Sequence, residues 1–125
     1  MSRPKVGVFL AQLGTPDAPT PGALRPYLRE FLGDPRVIET NRVLWWFILN
    51  FLILPRRPAR SAARYKRVWT EKGSPLLLHT IEQARGLQAA LGDHVIVDFG
   101  MRYGSPPAPS VLDGLCERGV DRVLV

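Results

Sequence analysis

One cysteine, Cys116, stands in 125 residues. A lone cysteine excludes a disulfide framework and fits a reducing compartment. No secretory leader is expected either. The strongly apolar run, Val43 to Leu54, lies too far from the start for one, and no small-residue cleavage site follows it. That run is too short to span a bilayer: twelve residues of helix cover roughly 18 Å, against a hydrocarbon core of about 30 Å. With no targeting segment, the expected location is the cytoplasm. Neither G-x-G-x-x-G nor G-x-x-x-x-G-K-[ST] occurs, which leaves a nucleotide site without support. Internal repeats and low-complexity tracts are absent too.

A hydrophobic fraction of 46% is that of a globular protein, and the length suits one domain or a piece of one. The net charge of +6 is unevenly placed. Between Pro55 and Lys72, Arg56, Arg57, Arg60, Arg64, Lys66, Arg67 and Lys72 face a single acid, Glu71. Such an excess attracts an anionic partner, with a solvated helix face as the plain alternative. Nucleic-acid surfaces interleave basic and aromatic residues. Here the aromatic block, with Trp45, Trp46, Phe47 and Phe51, comes first and the basic block second. That is the order of an interfacial element, apolar part inserted and cationic part at the head groups, and no nucleic-acid partner is expected.

Along the chain, Val6 to Gln12 reads as a buried strand running into a Gly/Thr/Pro-rich turn. Thr20 and Pro21 form an N-cap and first helical position, followed by an apolar face of Leu24, Tyr27, Leu28, Phe31 and Leu32. Pro26 inside it predicts either a start near Leu24 or a bend. "PARSAARYKRVW" has a helical pattern with Ala62, Tyr65 and Trp69 on one side and Arg60, Arg64 and Arg67 on another. A helix with Ile81, Ala84, Leu87 and Leu91 periodic ends at Gly92. The strand "HVIVDFGMRYGSP", the short helix "VLDGLCERG" and a third strand, "VDRVLV", complete the chain. This alternation is that of a doubly wound α/β sheet. A third strand that stops at Val125 predicts the N-terminal part of a longer protein.

Ligands of open α/β sheets bind outside the carboxyl ends of the strands, here the turns "QLGTPDAPT" and "MRYGSPP". In the second, Arg102 and Tyr103 place a cation and a phenol at a cleft mouth, or else a surface arginine and a core tyrosine. His79 and His94 lack metal-ligand spacing to any Cys, Asp or Glu and read as helix-start and strand-edge residues. Cys116, at helical spacing from Leu112, reads as a small core residue. No nucleophile–base set and no metal site is assigned.

Five phrases, "LAQLGTPDAPTP", "YLREFLGDPRVI", "RVLWWFILNFLILPRRP", "YKRVWTEKGSPLL" and "MRYGSP", occur in order over nearly the whole chain. In them the chain resembles the start of a ferrochelatase of the proteobacterial type. The resemblance implies a flavodoxin-like parallel sheet with flanking helices, incomplete at the C-terminus, and insertion of ferrous iron into protoporphyrin IX. It implies porphyrin contacts at Leu13, Arg57, Tyr65, Ser74, Arg102 and Tyr103. It also implies a lip over about 42–72 that closes the cleft and rests on the inner membrane through Trp45, Trp46, Phe47 and Phe51. Protoporphyrin is an apolar disc with two propionates, so it calls for apolar walls and a few cations or hydroxyls.

Metallation also requires a base for the two pyrrole protons. The family's catalytic histidine and acidic residues are expected beyond Val125, so no catalytic residue and no cofactor is assigned here. Ferrous iron enters as substrate, and these residues neither imply nor exclude an iron–sulfur cluster. Rival readings are a non-enzymatic porphyrin or haem carrier of the same fold and a peripheral membrane-binding module. Two departures from the family pattern are Gln12, where asparagine is common, and Pro26 in place of a helix former.

Overall fold

KVGVFLAQLGT is apolar or glycine except at Lys5, Gln12 and Thr15, and the segment forms the central strand, β1 (Lys5–Thr15), of the computed structural model, which describes residues 5–125. Gly7 and Phe9 are buried from one face of it. The chain next forms α1 (Pro21–Gly33), α2 (Arg42–Ile48), a π-helical stretch (Leu49–Ile53) and α3 (Arg57–Val68). It then runs through α4 (Pro75–Leu91), β2 (Val95–Gly104), α5 (Ala108–Glu117) and β3 (Val120–Leu124). These elements make two units. One holds the described residues up to Gly14 together with Leu76–Val125, and the other holds Thr15–Pro75.

In the first unit the three strands form a parallel sheet of order β2-β1-β3. Gly7 of β1 is paired with Val123 of β3, and Val8 with Leu124. The chain steps to one side of β1 for β2 and crosses back to the other for β3. This is the reversal of a doubly wound sheet, and it makes the carboxyl end of β1 a switch point where ligands can enter. Helix α5 covers the sheet through Leu112 and Leu115, which pack with Phe9, Ile96 and Val120. Gly100 makes room for this contact, since a Cβ there would lie 2.8 Å from the Ala108 Cα and 2.9 Å from the Phe9 ring.

Helix α4 stops at Gly92, whose φ of +84° suits glycine and little else. Its Gln88 then clamps the incoming strand. The amide nitrogen donates to the carbonyls of Gly92 (3.0 Å) and Val95 (2.9 Å), and the amide oxygen accepts from the Val97 N–H at 2.8 Å. One side chain so satisfies three main-chain groups at the start of β2.

The second unit is helical. Thr20 caps α1 by accepting from the Ala23 N–H at 3.3 Å, and the helix runs from Pro21 straight through Pro26. A start at Leu24 is therefore not what occurs. Pro26 is exposed, and the Gly22 carbonyl it leaves without a helical donor is on the exposed side as well. Leu24, Leu28 and Leu32, four apart, meet Leu49, Leu54 and Ala62 in the core, with Tyr27, Phe31, Trp45 and Tyr65 packed around them.

We predict that Gln88→Leu lowers the stability of the full-length protein by about 1–3 kcal/mol, because it strands main-chain groups at a partly buried edge. Urea unfolding should show this as a lower midpoint. The exposed Gln83→Leu should stay within about 0.5 kcal/mol of the parent.

Candidate functional site

At the carboxyl end of β1, Gly14 has a φ of +132°, and a methyl group on it would overlap the Tyr103 carbonyl oxygen. Only glycine lets the strands approach this closely. Beside it, Leu13 is 56% exposed, an apolar side chain presented at the switch point. Gln12 steadies this turn: its side-chain oxygen accepts from the Leu13 N–H (3.0 Å), and its amide donates to the Thr80 hydroxyl (3.4 Å). Thr80 in turn donates to the Leu76 carbonyl at 2.7 Å. On β2, Tyr103 is buried and Arg102 is exposed, with the guanidinium carbon 4.8 Å from the Tyr103 ring centroid. The ring therefore serves as a platform that orients the cation. Leu13, Arg102 and Tyr103 thus belong to one unit and one end of its sheet.

Arg57, Tyr65 and Ser74 belong to the other unit. Ser74 is 4% exposed, and its hydroxyl lies 2.8 Å from that of Thr15. Two hydroxyls sharing one hydrogen bond leave a second proton free to donate elsewhere. Tyr65 is half-buried against the helical core, with its ring edge-on to Trp69 at 6.2 Å. Arg57 is exposed and lines an open cleft of about 470 Å³ with Arg56, Arg60, Ser61 and Arg64.

The aromatic segment is built by a change of helical step. Its core-facing residues are Trp45, Leu49, Ile53 and Leu54; Trp45 and Leu49 stand four apart, and Leu49 and Leu54, the two that are buried, five apart. An α-helix cannot make the second step, and the Leu54 N–H donates instead to the Leu49 carbonyl at 2.8 Å, closing a π turn. Asn41 starts the segment by accepting from the Val43 and Leu44 N–H groups. Two side chains then tie it to the end of α1. The Trp45 indole donates to the Leu32 carbonyl at 2.7 Å, and Arg42 donates to those of Gly33 (2.8 Å) and Ile38 (3.1 Å).

Of the four residues expected at the lip, Trp45 is thus half-buried as the anchor. Trp46 (54% exposed), Phe47 (51%) and Phe51 (64%) face outward and pack on one another at 5.1–5.9 Å between ring centroids. No helix among the described residues is long and apolar enough to cross a membrane. Nor do they hold a group of three or more His, Cys, Asp or Glu able to bind a metal. Cys116, expected in the core, is exposed: its helix turns Leu112 and Leu115 toward the sheet instead.

Sequence reasoning passed over Gly14 and Thr15. A glycine before a threonine at the end of a strand pattern is the local signal for the first; the distant partner of the second leaves none.

The family model for ferrochelatase matches residues 5–125. The ferrochelatase of Idiomarina loihiensis is 54% identical over 125 residues, covering 97% of this chain and 34% of that protein. That of Chromobacterium violaceum is 55% identical over 126 residues, covering 98% and 35%. The ferrochelatase of Pseudoalteromonas atlantica is 53% identical over 125 residues. The chain spans about a third of the length of the curated relatives it matches.

Two glycines offer a matched test of the switch point. Gly14→Ala should unfold the full-length protein or lower its melting temperature sharply, by strain alone. Gly22→Ala, in α1 with open space around its Cβ position, should be neutral or stabilising by up to about 1 kcal/mol. Equal melting temperatures for the two variants would refute the close approach of Gly14 and Tyr103.

Proposed function

The chain belongs to the ferrochelatase family, and from that premise we propose that it is the porphyrin-binding portion of an enzyme that inserts ferrous iron into protoporphyrin IX. The match over residues 5–125, at identities above one half, carries this reading. The reaction replaces two pyrrole N–H bonds by bonds to iron and releases two protons, giving protohaem. It is a lyase-class metal chelation, the last step of haem synthesis. The base that takes the protons and the groups that deliver iron are assigned to the part of the enzyme beyond Val125. On this reading the 125 residues bind and do not catalyse.

Their task is to hold a flat apolar ring by its face and its acid edge. Leu13 supplies wall. Arg102, held over the Tyr103 ring, and Arg57, at the start of α3, are cations for the propionates. A charge-assisted contact of this type contributes about 1.5–3 kcal/mol. Ser74 supplies the spare proton of its pair with Thr15, and Tyr65 lies one helical face away from the arginines. Walls that grip the ring also bend it, for which strain of about 1–5 kcal/mol is typical of enzymes that deform their substrates. Trp46, Phe47 and Phe51 rest on the cytoplasmic surface of the inner membrane, where a porphyrin, itself poorly soluble in water, is expected to partition.

We predict that the full-length protein forms haem from ferrous iron and protoporphyrin under anaerobic conditions, followed by absorbance. A rate no greater than that without protein would sink the enzymatic reading. Arg102→Ala should weaken protoporphyrin binding by roughly 10- to 100-fold, read by porphyrin fluorescence. Tyr103→Phe, which keeps the platform, should weaken it less. Unchanged binding in both variants would take the site away from this strand end.

A further inference from the structure

From Thr40 through Thr70 the chain has no aspartate or glutamate, yet it carries Arg42, Arg56, Arg57, Arg60, Arg64, Lys66 and Arg67. The fold gathers four of these. Arg57, Arg60 and Arg64 recur at helical spacing on α3, and with the preceding Arg56 they line the cleft of about 470 Å³. Among the described residues none of the four has an ion-pair partner, and all four are exposed. Like charges one helical turn apart repel, so the cluster is uphill unless an anion lies among them.

The other wall of the cleft is apolar. It is made by Leu52 and Ile53, from the π turn that also carries Phe51. Leu52 is itself 64% exposed, next in the chain to the outward cluster of Trp46, Phe47 and Phe51. The arginine cleft therefore begins where the aromatic cluster ends. A soluble anion would use the arginines and leave Leu52 and the aromatics in water. A phosphate with hydrocarbon attached satisfies both sides. The guanidinium forks suit phosphate oxygens, and the apolar wall and rings suit the glycerol and acyl chains.

We propose that this cleft seats the headgroup phosphate of an anionic phospholipid, through Arg56, Arg60 and Arg64. The lip then selects anionic bilayers rather than bilayers in general. The inference rests on the membrane contact proposed above and adds its chemical selectivity. Arg57, assigned to the porphyrin, shares the cleft wall, so the lipid and the substrate approach the same stretch of α3.

The test is flotation of the full-length protein with vesicles of phosphatidylcholine alone or mixed with phosphatidylglycerol, with tryptophan emission read in parallel. Each arginine near an anionic surface contributes roughly fivefold in partitioning, so three give on the order of a hundredfold preference for the mixed vesicles. R56Q/R60Q/R64Q should lose that preference, keep its weak partitioning to phosphatidylcholine, and melt at the parent's temperature because these side chains are exposed. Trp46→Ser with Phe51→Ser should lose the emission shift on both vesicles.

If the parent binds neither vesicle, the membrane reading itself fails and takes this proposal with it. If it binds both equally, or if the triple variant keeps the preference, the headgroup seat alone is overturned. A third outcome also overturns it: millimolar inorganic phosphate raising the melting temperature of the parent but not of the triple variant, with no preference among vesicles. That result would assign the cleft to a soluble anion.

Discussion

Gly14 is the point on which the candidate site turns. A side chain there would occupy the space of the Tyr103 carbonyl, so the carboxyl ends of β1 and β2 can meet only around a bare backbone. From that contact the rest of the strand end takes its place. Leu13, one residue before, faces solvent, and Thr15, one residue after, is turned inward to Ser74. Tyr103 lies flat enough beneath Arg102 to hold a cation at the mouth of the sheet. A doubly wound sheet offers a crevice wherever its order reverses; here the absence of one methyl group decides what lines it.

The aromatic segment depends on a different constraint, that of pinning an apolar helix without burying it. Trp45, Leu49, Ile53 and Leu54 carry the attachment, and the π turn supplies the five-residue step that brings Leu54 round to the core beside Leu49. Trp45 and Arg42 fill the donor vacancies at the end of α1, where helix carbonyls have no partner of their own. With attachment confined to that side, the three outward rings can pack on one another rather than on the protein. An exposed aromatic cluster held this firmly loses little further side-chain freedom when it meets an apolar surface.

Most of the fold was legible because periodicity was strong where burial is strong. Leu24, Leu28 and Leu32, the strand ending in Arg102 and Tyr103, and the stop at Gly92 all stand where the pattern puts them. Pro26 was the ambiguous mark, since proline is costly in a helix only where its missing donor is missed, and here it is exposed. Cys116 misled because spacing from Leu112 says which side of a helix a residue shares, not whether that side is covered. Within the site, the exposed arginines and Leu13 could be named from charge and position. The hydroxyl pair of Thr15 and Ser74 could not, because nothing local in either phrase points to the other.

That pair has a consequence of its own. The chain leaves β1 at Thr15 and enters α4 just after Ser74, and the hydroxyls of these two residues lie 2.8 Å apart. Everything between them is a closed bight whose ends are moored together. Closing such a loop costs little more as it lengthens, since the entropy grows only with the logarithm of its length. Residues can be gained, lost or exchanged inside the bight while β1 and α4 stay in step. The aromatic segment is in this sense a replaceable part, free to change in length and surface while the carboxyl end of β1 stays as it is.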